Sequence, residues 1–169
     1  MSLGMYGASI PVYQRQLGAL AKVLEKGSAW AVAKKVDEAV LGATRLTPDM
    51  LPLTRQVQIA CRFAEESAAR LAGVVVPPAH DNSEKTLGEL QKRIAAVLAY
   101  LEGFKAEQID GSEGHEVVLT VAGTPLKLTG EQYLLHFALP NFYFHCTTAY
   151  ALLRQSGVEI GKLDFLGAV

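Results

Sequence analysis

Apolar positions recur at helical spacing in four stretches of the chain. Ile10, Tyr13, Leu17, Leu20 and Leu24 repeat every three or four residues and predict a helix over 6–26. Pro11 is tolerated there in a first turn, and Gly27 is the expected stop. Gly18 gives up helix stability and lets a neighbouring backbone approach. Short helical pieces are expected at 29–33 and 37–41, the second ending before Gly42. A second long helix opens at Thr47-Pro48-Asp49, with Thr47 as its cap and Pro48 at its first position. It runs to about Leu71 and ends at Gly73, with Met50, Leu53, Val57, Ala60, Ala64 and Leu71 as its stripe. Arg55, Gln56 and Gln58 lie beside that stripe and are expected to face solvent.

Val74 to Ser83, with its Pro77-Pro78 pair, is a connecting loop that leaves His80 exposed. Thr86 and Glu89 form a capping box ahead of a third helix. Leu87, Leu90, Ile94, Val97, Leu98 and Leu101 take one face of it, and Lys92, Arg93 and Glu102 the other. After a polar connection over 104–115, two short runs, Glu116–Val121 and Pro125–Leu128, flank Gly123 as a β-hairpin. Thr129 and Gln132 form a second capping box, Pro140 kinks or restarts the helix it opens, and the last helix runs over 141–155 to Gly157. The fold class is therefore mainly all-α: a four-helix bundle, one domain over 1–169, with a small hairpin inserted before the last helix.

Composition narrows the partners. A formal net charge of -1 and the lack of a Lys/Arg run argue against nucleic acid and anionic membranes. No apolar run approaches the ~20 residues that span a bilayer, and Met1 to Tyr6 lack the basic region and apolar stretch of a signal peptide. The two cysteines, Cys61 and Cys146, sit in apolar helical surroundings without CxxC spacing and are read as reduced core thiols. A cytoplasmic protein is expected.

The chemistry concentrates in Leu135 to Tyr150, which holds two of the four histidines, one cysteine and five aromatic residues. Phe142, His145, Ala149 and Leu152 share one helix face, so His145 falls on the core stripe and needs a hydrogen-bond partner or a ligand. His136 lies nine residues earlier, and Pro140 leaves open whether the two rings converge. Three readings stand: a satisfied core histidine, a polar ligand pocket, or a metal site. Helical metal sites present two ligands at i and i+4, and here Asn141 and Ala149 hold those places. No phosphate-binding glycine loop, GxSxG elbow or HExxH motif is present.

Two segments carry a resemblance, Thr44 to Gln58 and Tyr133 to His145. The chain is similar, from Met5 to about Gly167, to a bacterial family of unknown function in the DinB/YfiT-like metalloenzyme superfamily. The resemblance implies a DinB-like four-helix bundle, often a homodimer. It also implies a divalent metal, zinc or nickel, held by one histidine of the second helix and two of the last. Only His145 matches a last-helix ligand, and the second helix offers Gln56 and Gln58 instead of histidine. The remodelled pocket would be lined by His145, His136, Asn141, Gln56 and Asp49. The favoured reading is a bundle that binds a small ligand around His145. The alternative is a metal-dependent hydrolase or thiol transferase with an atypical site, and a third is a structural dimer.

Overall fold

The longest element is one unbroken helix, α1 (Met5–Lys34), in a computed structural model that describes residues 4–121 and 123–167. It absorbs the piece expected at 29–33 and passes straight through Gly27. That glycine is a packing position: a Cβ there would lie 2.9 Å from Leu87 Cδ1 and 3.2 Å from Leu153 Cδ2. Gly18, expected to admit a close neighbour, has nothing within 4 Å of its Cβ direction. Pro11 sits beyond the first turn, inside the helix. The start of α1 is held from a distance, because Asp110 Oδ1 accepts from the Tyr6 amide at 2.9 Å.

A short helix α2 (Glu38–Gly42) is capped by Asp37. Helix α3 (Leu53–Leu71) starts later than Thr47-Pro48-Asp49 suggests. Proline disfavours the helical region for the residue before it, so Pro52 keeps Leu51 out of the helix and itself becomes the cap. Thr47 and Asp49 bond to each other instead, Oγ1 to Oδ1 at 2.6 Å, in an exposed turn. Met50 consequently leaves the stripe, while Leu53, Val57, Ala60, Ala64 and Leu71 are buried as expected. Helix α4 (Leu87–Glu102) opens on the Thr86–Glu89 capping box.

A short helix α5 (Ala106–Ile109) and a 3-10 turn (Ser112–Gly114) lead to the antiparallel hairpin of β1 (Glu116–Val121) and β2 (Thr124–Thr129), in register Val117 with Leu128 and Leu119 with Leu126. Gly123 supplies the turn at φ +82°. Leu119 and Leu128 lay the hairpin on the core. The chain then continues as α6 (Gly130–Gln132), a π-helical turn (Tyr133–Ala138) and α7 (Leu139–Gln155), so Pro140 falls at a helix start. The widened turn lies where Pro140 cannot supply the usual N–H. A final short helix, α8 (Lys162–Leu166), docks on α1 through Gln16 Nε2 to the Phe165 carbonyl (3.0 Å).

Helices α1, α3, α4 and α7 make the bundle. The most extensive interfaces are α3 on α7, α1 on α4 and α3 on α4. Tyr13 and Phe142, rings edge to face at 4.8 Å, bring α1 and α7 together. The interior between them is Leu, Val, Ala and aromatic side chains, with Cys61 and Cys146 among them. Three polar residues expected on solvent faces go inside: Gln56, Gln58 and Arg93. Each finds partners there, which is the condition under which such groups are buried. Among the described residues, no helix is long and apolar enough to cross a membrane.

Candidate functional site

The site grows from the first turn of α3. Gln56 is buried there, and its Nε2 donates to the Leu51 carbonyl at 2.9 Å, tying the pre-helix loop to the helix. A carbonyl can only accept, so this bond fixes the amide orientation and leaves Oε1 pointing the other way. Oε1 meets His145 Nδ1 of α7 at 2.7 Å. Since Oε1 must accept, Nδ1 carries the proton, and Nε2 of the neutral ring is a lone-pair acceptor. That nitrogen has no hydrogen-bond partner among the described residues and is not shut away from solvent.

The imidazole is set among aromatic rings. Phe63, two turns along α3 from Gln56, stacks on it with centroids 6.0 Å apart and planes at 21°. Phe144 meets it edge-on at 5.3 Å. Phe137 packs against Phe63 in turn. Burial among these groups pushes the His145 pKa down to about 4, so the ring is neutral at physiological pH. A base that weak takes little of a substrate's proton near neutrality. It is a good hydrogen-bond acceptor and a poor general base.

His145 is half-buried, whereas its stripe companions Phe142, Ala149 and Leu152 are fully buried. The ring therefore sits at the margin of the apolar stripe, and five well-formed clefts of the surface are lined by other residues. The other candidates are dispersed. Asn141 donates Nδ2 to the Phe137 carbonyl at 2.6 Å, serving the π-helical turn. Asp49 is exposed, and the Thr47 hydroxyl beside it lowers its carboxyl pKa. His136 is exposed and makes no side-chain hydrogen bond among the described residues. Of the five residues, only Gln56 and His145 are joined by a side-chain hydrogen bond.

The residues do not fit a tetrahedral metal centre. One imidazole nitrogen is available, its Nδ1 is committed to an amide, and the facing residue of α3 is glutamine. Among the described residues, no group of three or more His, Cys, Asp or Glu is placed to hold a metal ion. The thiols offer no help: burial pushes Cys61 up to about 12, and burial together with the neighbouring Cys61 pushes Cys146 well above the usual range.

Phe63 and the Leu51 carbonyl were invisible to the sequence reading. The signal for Phe63 is its seven-residue separation from Gln56, which puts both on one face of α3.

Residues 5–166 match a family model described as a domain of unknown function (DUF1993). Among solved structures, the chain is similar to a DinB family member protein from Shewanella denitrificans. The two are 43% identical with a TM-score of 0.87, over 97% of this chain and 92% of that one. No curated protein matches the sequence significantly.

Proposed function

Because the chain belongs to the DUF1993 family and shares the fold of a DinB family member protein, we propose that it is a ligand-binding DinB-type bundle whose contact point is His145. The observation that carries this reading is the Leu51–Gln56–His145 chain of hydrogen bonds, which presents Nε2 as a fixed, unprotonated acceptor between Phe63 and Phe144. Such a group recognises an N–H or O–H donor on a small molecule, with the aromatic rings covering an apolar part of it. Asn141 supports the same region by holding the turn before α7. The alternative, a metal-dependent hydrolase or thiol transferase, lacks the donor set described above. The homodimer implied by the family is part of the proposal, with the exposed Phe144, which meets the His145 ring, as an apolar side chain for a partner to cover.

The test is a fragment screen read on the His145 ring Hε1 signal by NMR, run beside metal analysis of untagged protein challenged with zinc and nickel. Donor-bearing fragments should shift the His145 signal, and His145→Ala should lose them while keeping its melting temperature within a few degrees. About one metal per chain, lost in His145→Ala, would replace this reading with the metalloenzyme one. A ring that no fragment perturbs, in a variant that merely loses stability, would reduce His145 to a structural residue.

A further inference from the structure

A second polar cluster lies on another face of α3, where the loop 77–84 crosses between α3 and α4. Its centre is Arg93, 5% exposed, which sits in the apolar stripe of α4 between Leu90 and Val97. Nη1 donates to Asn82 Oδ1 (3.1 Å) and to Glu84 Oε1 (3.0 Å) and Oε2 (3.3 Å). Nε is buried and has no acceptor. A buried guanidinium N–H left without a partner is rare.

Arg93 also borders an open space. A cavity of about 100 Å³ is bounded by Arg55, Gln58, Arg62, His80, Asn82 and Arg93. Liquid water occupies about 30 Å³ per molecule, so this is room for a few waters or for one carboxylate or phosphate group. The lining contains three arginines and no carboxylate. Arg93 and Arg62 have carboxylate partners, Glu84 and Glu66, and His80 has Glu65 at 2.9 Å. Arg55 has no ion pair among the described residues; its Nη1 is fixed by Gln58 Oε1 at 2.8 Å. Gln58 is itself buried and donates Nε2 to Glu84 Oε2 at 2.9 Å, so the cluster is one braced unit. Arg62 is similarly fixed, Nη1 donating to the Pro77 carbonyl at 2.8 Å. The side chains are thus positioned before any ligand arrives, and pre-positioning cuts the cost of binding. Beyond His80 and Arg93 the cavity borders a cleft of about 360 Å³ edged by Ser83, Glu89 and Lys92, room for the rest of a small molecule.

We propose that this cavity is an oxyanion site, in which Arg55, Arg62 and Arg93 take the carboxylate or phosphate group of a small metabolite. Planar guanidinium donors suit both oxyanions. The site is independent of the His145 reading and stands or falls without it.

Calorimetric titration of the full chain with inorganic phosphate, and separately with acetate, at constant ionic strength tests it. Saturable one-site binding of phosphate alone assigns a phosphoryl group; of acetate alone, a carboxylate; of both, a site that accepts either. In each case Arg55→Gln must weaken binding at least tenfold, because it removes the one cation without an ion pair and leaves the Arg93–Glu84 pair in place. Arg93→Lys keeps the charge, removes the planar guanidinium and should weaken binding by a similar factor if it folds. No saturable heat with either anion up to tens of millimolar overturns the proposal, and so does binding that Arg55→Gln leaves unchanged.

Discussion

Acidification should destabilise this protein through His145 in particular. The ring titrates near 6.5 in an unfolded chain and at about 4 in the folded one, because burial disfavours the imidazolium. Between those values the unfolded state binds more protons than the folded state, so stability falls as pH drops from about 6.5 and levels off below about 4. At about 1.4 kcal/mol per pKa unit the full loss is about 3 kcal/mol, of which about 2 kcal/mol has gone by pH 5. Water reaching the half-buried ring brings the measurable loss toward half of that. Urea unfolding of the protein and of His145→Gln at several pH values isolates the term, because His80, His115 and His136 are present in both chains and cancel in the difference. The stability advantage of the parent over the variant should shrink by about 1.5 to 3 kcal/mol between pH 7 and pH 4. An Hε1 titration by NMR gives the folded pKa directly. A difference that stays flat over this range, or a ring that titrates near 6.5, would refute the assignment of a desolvated neutral imidazole and with it the acceptor role of Nε2.

Three further outcomes follow from the same geometry. Gln56→Glu places a carboxylate against Nδ1, 2.7 Å away in the parent, and should raise the His145 pKa by at least one unit in the NMR titration, since an adjacent opposite charge favours the imidazolium. Cys61 and Cys146 are buried free thiols with raised pKa values; a thiol-specific reagent at pH 8 should modify neither in the native protein and both after unfolding in urea. Gly130→Ala should cost about 1 to 3 kcal/mol or more, because its Cβ would fall 2.0 Å from the Ser112 carbonyl oxygen, a backbone atom that cannot turn aside. A melting temperature within one degree of the parent would contradict that contact.

The helices were legible where burial and periodicity agree. Leu87, Leu90, Ile94, Val97 and Leu101 mark α4 because its stripe is apolar and its start is closed by a local Thr86–Glu89 box. Boundaries failed where the deciding contact is distant or the chemistry is opposed. Gly27 looks like a stop until Leu87 and Leu153 occupy the space its missing side chain leaves. Thr47-Pro48 looks like a start until Pro52 excludes Leu51 from the helix. The short α8 has no stripe to announce it and is held by Gln16 and Lys26 of α1, contacts 149 and 138 residues away in the chain.

The same distinction explains the sites. His145 was conspicuous as an imidazole on an apolar face, and the family resemblance pointed to the second helix for its neighbour. Gln56 could be named as a candidate, but not as the partner, because the choice rests on the Leu51 carbonyl that orients its amide. Arg93 was assigned to solvent by residue type although its spacing is that of the stripe; it lies three residues after Leu90 and four before Val97. A charged residue in phase with a core stripe is therefore the stronger signal, since its burial requires partners that sequence spacing cannot show. In this chain those partners, Asn82 and Glu84, come from a loop with no periodicity to read. Position on a helix face singled out His145 alone, and only the fold could say what each side chain is bonded to.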